Sequence, residues 1–107
     1  MITEDSIYDA YNGKAKAIES LYACIEELAK LKSSRVKLLA DAVQNGLYAD
    51  CKNEDARKAA ANTAMFEIDT NIAGWETRER AARCEYDVAC NYVQMIETIV
   101  KFNERVS

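Results

Sequence analysis

The stretch that decides the fold runs from residue 61 to residue 100 and reads ANTAMFEIDTNIAGWETRERAARCEYDVACNYVQMIETIV. Its apolar residues recur in alternating steps of four and three, which is the spacing of an amphipathic α-helix. This seam predicts one helix that continues through Gly74, where a bend is allowed. The seam consists of two columns: Ala61, Ile68, Trp75, Ala82, Ala89 and Ile96, and Met65, Ile72, Glu79, Tyr86, Val93 and Val100.

The start of this helix is marked by a capping residue. Asn53 precedes Glu54 and Asp55, and an Asn cap followed by acidic residues satisfies the free N–H groups and favours the helix dipole. The predicted helix therefore covers about residues 54–104.

An earlier helix is predicted over about residues 5–45, with Thr3, Asp5 or Ser6 as its N-cap and Asn45-Gly46 as its stop. Its apolar residues also follow a heptad spacing, so we expect them to form its seam. Lys32 is the one charged member. The columns are Tyr8, Ala15, Tyr22, Ala29, Val36 and Val43; Tyr11, Ile18, Ile25, Lys32 and Leu39; and a third one of Leu21, Leu28 and Ala42.

The two helices are predicted to form an antiparallel hairpin. The loop between them, at about residues 46–53, is short, and the 107 residues are few enough for a single domain, 1–107. Folding about this loop places residue i near residue 99−i, so Lys32 faces Glu67. The basic stretch from Lys30 to Lys37 then faces Glu67 and Asp69, which supports the hairpin through opposite charge.

A lone hairpin leaves apolar residues uncovered. A second stripe, which we call the C-terminal stripe, follows the later part of the second helix, and Leu31 and Leu38 add to the apolar surface of the first. A continuous exposed stripe is unusual on a monomer, so we expect an interface, with two hairpins forming a dimeric four-helix bundle. Another protein is the alternative partner. The C-terminal stripe consists of Cys84, Val88, Tyr92, Met95, Ile99 and Phe102.

Composition argues against several other classes. The net charge of −4 is spread over both halves, so direct binding to nucleic acid is not expected. The N-terminus lacks the apolar core of a signal peptide and no apolar run spans a membrane, which predicts a cytoplasmic protein without a membrane partner. The four cysteines are then expected to be reduced. Since they lack metal-site spacing and the chain has no histidine, no metal or other cofactor is expected.

Carboxylates are the remaining candidates for chemistry. Glu76 and Glu79 have a spacing that places both on one helix face, as in all-helical nucleotide pyrophosphatases that hold magnesium. Arginines are interleaved with these acids, which is typical of a solvated face. Glu79 lies in the seam, where Lys14 or Lys16 would be its partner. Without a histidine base or a phosphate-binding loop, no catalytic residue is assigned and an enzyme is not expected.

A resemblance adds a biological setting. Residues 52–59 read KNEDARKA and residues 75–83 read WETRERAAR, so a Lys-Asn cap leads into a long Glu/Arg/Ala helix. Over roughly residues 46–102 the chain resembles small bacteriophage and prophage helical-hairpin (coiled-coil) accessory proteins from early gene regions near recombination genes. The resemblance implies an interaction role and no catalytic residues.

The sequence thus favours a non-enzymatic interaction or scaffold protein that acts as a homo-oligomer, as a phage or prophage accessory factor. Two alternatives stay open. One is a phage-encoded inhibitor of a host nucleic-acid enzyme or defence system, whose acidic surface acts as a decoy. The other is the magnesium-dependent nucleotide pyrophosphatase.

Overall fold

The computed structural model describes residues 2–106, and these residues form helices without any strand. The helices are α1 (Glu4–Gln44), α2 (Glu54–Ala64) and α3 (Phe66–Val106). The all-α prediction is confirmed, and α1 begins and ends within one residue of its predicted bounds.

The end of α1 is set by Gly46, as predicted. Its φ of +95° lies in the left-handed region, which a residue without Cβ adopts at little cost. Leu47 N–H donates to the Ala42 carbonyl at 3.0 Å, and Gly46 N–H donates to the Val43 carbonyl at 3.1 Å. This pair of hydrogen bonds is the Schellman motif, which satisfies the last carbonyls of the helix.

The start of α2 is likewise the predicted cap. Asn53 is extended (φ −151°, ψ 177°), and its side-chain oxygen accepts a hydrogen bond from Ala56 N–H at 2.8 Å. At the start of α1, Thr3 has the same role, because Ser6 N–H donates to its hydroxyl at 3.1 Å. Local chemistry therefore decides where the helices begin.

The prediction of one helix over about 54–104 is wrong at Met65. There the backbone leaves the helical region (φ −98°, ψ 8°) and separates α2 from α3, whereas Gly74 lies inside α3. The Thr63 hydroxyl donates to the Ala59 carbonyl at 3.0 Å just before the break, but Thr70 and Thr77 make the same kind of bond inside the continuous α3, so this bond does not account for the break. The apolar spacing continues through Met65, which is buried, so periodicity alone did not reveal the break.

Two compact units divide the chain. Unit 1 contains the part of α1 up to Ile25 and the part of α3 from Arg78, and unit 2 contains residues Glu26–Thr77. In unit 1 the core centres on Ala10, Val93 and Ile96, with Ile7 and Val100 packed against them, so the two segments run antiparallel. The other buried residues of unit 1 are Leu21, Cys24 and Ala82.

Unit 2 has a smaller apolar core and a strong polar contact. Its buried residues are Leu28, Met65 and Ile72. Beside them the Arg35 guanidinium donates to Asp69, with Nε at 2.6 Å from Oδ1 and a second nitrogen at 3.4 Å from Oδ2. This two-point pairing fixes the geometry of the two side chains.

The predicted seam of the second helix matches the burial, since all of its members are buried or half-buried. The seam predicted for α1 is wrong in its first column, because Tyr8, Tyr22 and Val36 are 71%, 59% and 68% exposed. Ala10 and two leucines lie on the buried face instead, while Tyr8 and Tyr22 lie at the surface, where a tyrosine can keep its hydroxyl in water. The buried residues of α1 are Ala10, Leu21, Cys24 and Leu28.

The expected pairing of the basic stretch from Lys30 to Lys37 with Glu67 and Asp69 is confirmed by the Arg35–Asp69 contact, but the exact alignment of residue i with residue 99−i is wrong. It placed Arg35 opposite Ala64, yet Arg35 bonds to Asp69, and it placed Tyr11 opposite Val88, yet the Tyr11 hydroxyl donates to Glu97. The partners lie five positions further along in unit 2 and nine in unit 1. The reason is that the connection between α1 and α3 includes α2 as well as the loop, which moves its midpoint towards the C-terminus.

Candidate functional site: an apolar surface of unit 1

The C-terminal stripe lies on the surface of unit 1. Every one of its residues is exposed, and the five larger side chains range from 37% for Ile99 to 68% for Val88. Val106, at 69% exposed, continues it by a further turn and was missed in the sequence, where the stripe ended at Phe102. The other two predicted interface residues lie in unit 2: Leu31 is half-buried and Leu38 is 48% exposed.

The C-terminal stripe carries no charge along its length. Asn91 and Thr98 lie beside its apolar residues on the same face. The Thr98 hydroxyl donates to the Gln94 carbonyl at 2.8 Å, so this residue has an internal partner for its donor. Charge appears only at the edges of the face, with Glu85 on one edge and Asp87 and Arg105 on the other.

The orientation of the stripe follows from its spacing relative to the core. The residue that directly follows each of Val88, Tyr92 and Met95 in the sequence is buried or half-buried. One position on an α-helix is a rotation of about 100°. The two faces of α3 therefore point at nearly right angles, which is the arrangement of a helix that contacts two neighbours in a four-helix bundle.

A groove of about 380 Å³ lies beside the stripe, between α1 and α3 of unit 1. On its α1 side the groove is lined by short or flexible side chains, which leave it unfilled. The groove is open to solvent along its length and most of its lining is apolar. Lining residues are Gly13, Lys16, Ala17 and Ser20 from α1, and Glu85, Val88, Ala89 and Tyr92 from α3.

A second groove, of about 270 Å³, lies between the same two segments. On α3, Glu97 and Lys101 of this groove come one position after a buried or half-buried residue. The exposed α3 residues of the first groove come one position before such a residue. The two grooves therefore lie on opposite sides of the contact between α1 and α3 in unit 1. The Tyr11 hydroxyl donates to Glu97 here. This hydrogen bond raises the pKa of Tyr11 above 10.0, with further contributions from desolvation and the negative charge of Glu97.

The two polar residues assigned to the seam differ in position. Glu79 is half-buried, and its carboxylate accepts a hydrogen bond from Arg83 at 2.6 Å. Arg83 lies one turn along the same helix, so the expected partners Lys14 and Lys16 were wrong. Lys32 is exposed and does not lie in the buried face of α1.

The predicted chemical groups remain apart. Among residues 2–106, no three His, Cys, Asp or Glu side chains are close enough together to hold a metal ion. The cysteines are unpaired: Cys24 is buried, Cys51 and Cys90 are half-buried and Cys84 is exposed. A hydrogen bond with Cys90, followed by the charge of that residue, raises the pKa of Tyr86.

Comparison of the chain with protein-family models, with curated proteins and with solved structures yields no match. None of the helices in the described part of the chain has the length and apolar character needed to span a bilayer.

Proposed function

We propose that the chain is a non-enzymatic interaction protein that acts as a homo-oligomer, with the C-terminal stripe as its self-association surface. The observation that carries the proposal is the exposure of this uncharged stripe, from Cys84 to Phe102, on one face of α3. Full burial of a Val, Ile, Phe or Met side chain contributes about 1.5–3 kcal/mol. Covering the stripe therefore offers a strong driving force for association.

The charges at the ends of the stripe favour a second copy as its occupant. Asp87 lies near the N-terminal end and Arg105 at the C-terminal end, on the same edge of the face because eighteen positions are about five full turns. When two copies meet with their α3 helices antiparallel about Met95, Asp87 of each copy lies close to Arg105 of the other. A two-fold interface brings the same patch of both copies together, so the stripe must complement itself, and this one does.

The resemblance to phage and prophage helical hairpins places this proposal in a biological setting. An accessory protein of that kind would use one face for self-association and present its remaining faces to a phage or host protein. In unit 1 the groove at Tyr11 and Glu97 lies on the side opposite the stripe, so dimerisation leaves it accessible.

The test is the molar mass in solution, measured by light scattering over a hundredfold range of concentration. Wild type is expected to be a dimer at the higher concentrations. Val88→Asp, which places a charge within the apolar face, is expected to yield a monomer that keeps its helical circular dichroism. Val36→Asp is the matched control, because Val36 is also 68% exposed but lies in unit 2. Its mass should equal that of wild type.

Two outcomes would contradict the proposal. A wild-type monomer at all concentrations would show that the stripe does not serve self-association. Equal loss of mass in Val88→Asp and Val36→Asp would show that any new surface charge disrupts the oligomer, and the stripe would have no special role.

A further inference from the structure

The face of α1 that borders the groove beside the stripe has a regular residue spacing on which the proposed function does not depend. Gly13, Lys16 and Ser20 line this groove, and the residue directly after each of them in α1 is buried or half-buried. The same spacing places Asp9 and Ser6 on this face, further towards the N-terminus. In contrast to the neighbouring tyrosine-bearing face, it carries few large side chains.

The residues of this face are spaced almost symmetrically on either side of Gly13. Ser6 and Ser20 are seven positions from Gly13 on either side. Asp9 lies four positions before it and Lys16 three positions after it. When two copies of α1 pack antiparallel and cross at Gly13, the acidic Asp9 of each meets the basic Lys16 of the other.

The C-terminal stripe has a corresponding centre at Met95. Val88 and Phe102 lie seven positions on either side, and Tyr92 and Ile99 lie three and four. An antiparallel crossing at Met95 therefore pairs each aromatic ring with a β-branched side chain of the other copy. A parallel pairing would instead place each residue against its own counterpart, so that large side chains meet large ones and small side chains meet small ones. The antiparallel pairing gives layers of similar volume, which pack better because cores are sensitive to volume.

The two centres lie at the same level of unit 1. Tyr11 contacts Glu97 across the antiparallel segments. Gly13 lies two positions after Tyr11 and Met95 two positions before Glu97, so the two residues lie at the same level along the antiparallel segments. A single axis perpendicular to the helices can therefore pass by both residues.

We infer that the chain forms a two-fold dimer whose axis passes by Gly13 and Met95, with α1 against α1 and α3 against α3, both antiparallel. This arrangement rests on the proposed self-association and specifies its partner, orientation and register. Gly13 then determines specificity: it lies where the two α1 helices cross, and the absence of a Cβ allows the backbones to approach closely. In one copy alone nothing lies within 4 Å of a Cβ added at Gly13, so the chain's own packing does not require glycine there.

Leucine at Gly13 tests the position of the axis. Gly74 provides the matched control, since it also lies within a helix with nothing within 4 Å of an added Cβ. Leucine is a good helix former, so both variants should gain helix stability by roughly 1 kcal/mol or slightly less. Gly13→Leu is expected to raise the dimer dissociation constant at least tenfold, while Gly74→Leu leaves it unchanged.

Thiol cross-linking tests the orientation. In the inferred dimer the two copies of Cys84 are about 33 Å apart, because each lies eleven positions from the axis at ~1.5 Å per residue. A short bismaleimide should therefore leave Cys84 uncoupled to its own counterpart, as read by mass spectrometry of the cross-linked peptides. Met95→Cys in a Cys84→Ser background should couple to its counterpart in high yield.

The outcomes separate this inference from the proposed function. A dimer that couples Cys84 to Cys84 is either parallel or antiparallel with its crossing near Cys84, and both arrangements overturn the inferred axis and leave self-association intact. A dimer insensitive to Gly13→Leu has α1 away from its counterpart, which also overturns it. A wild-type monomer removes both proposals.

Discussion

The two units of the chain use the same pair of helices in different ways. In unit 1, α1 and α3 share an apolar core around Ala10 and Ile96, and α3 carries a second, uncharged face exposed to solvent. In unit 2, fewer residues are buried, and the Arg35–Asp69 ion pair lies beside them. A directional ion pair specifies the alignment of one pair of segments, whereas an uncovered apolar face is suited to association. We therefore expect the core of unit 1 to contribute more to stability and the Arg35–Asp69 pair to determine alignment in unit 2.

The largest effect should come from the core of unit 1. Ile96 is 3% exposed and lies in the central cluster, so Ile96→Ala is expected to cost about 2–5 kcal/mol of unfolding free energy. Ile72→Ala in unit 2, where the residue is 8% exposed, should cost less. Urea unfolding at one fixed protein concentration measures both, since association would otherwise alter the comparison. A greater loss for Ile72→Ala would reverse the assignment of stability to unit 1.

The ends of the helices and the buried face of α3 could be predicted from local chemistry. The caps at Asn53 and Gly46 depend on neighbouring residues only, and the seam of α3 contains Ile, Val and Met residues that leave little choice of buried face. The face of α1 could not be predicted, because three of its columns are apolar. Which one is buried depends on close approach to α3, which favours Ala10 over Tyr8.

The candidate site shows the same division. The C-terminal stripe follows from the spacing along α3 alone, and the structure exposes it. The groove beside it and the position of Gly13 opposite Met95 require the alignment of α1 with α3. That alignment was out of reach because the helix is interrupted at Met65 without any proline or glycine to mark the place.

An intermediate effect is expected at the ion pair of unit 2. Arg35→Met removes a two-point pairing and leaves the half-exposed Asp69 carboxylate without its partner. Lys58→Met is the control, because the Lys58–Glu54 pair is longer, at 3.9 Å, and its side chains are 70% and 81% exposed. Exposed pairs of that kind contribute little. The urea midpoint should fall clearly in Arg35→Met and remain near wild type in Lys58→Met, and equal midpoints would remove the special role of Arg35.

The smallest effect is a dependence on alkaline pH that belongs to unit 1. The hydrogen bond to Glu97 raises the pKa of Tyr11 in the folded chain above the ordinary value of 10.0. Between these two pKa values the unfolded chain has released the phenolic proton and the folded chain retains it, so unfolding becomes easier as pH rises. The contribution of Tyr11 is therefore fully present below pH 10 and is lost as pH rises through its folded pKa.

Tyr11→Phe isolates this contribution. The difference in unfolding free energy between wild type and Tyr11→Phe should be constant from pH 8 to about pH 9.5 and should decrease above pH 10. The difference between wild type and Arg35→Met should stay constant over the same range, because the hydrogen bond to Asp69 raises the already high pKa of Arg35 further and the guanidinium keeps its charge. A Tyr11→Phe difference that does not change above pH 10 would mean that the phenol and Glu97 do not interact in solution, and the polar contact of unit 1 would then contribute no more at neutral than at alkaline pH.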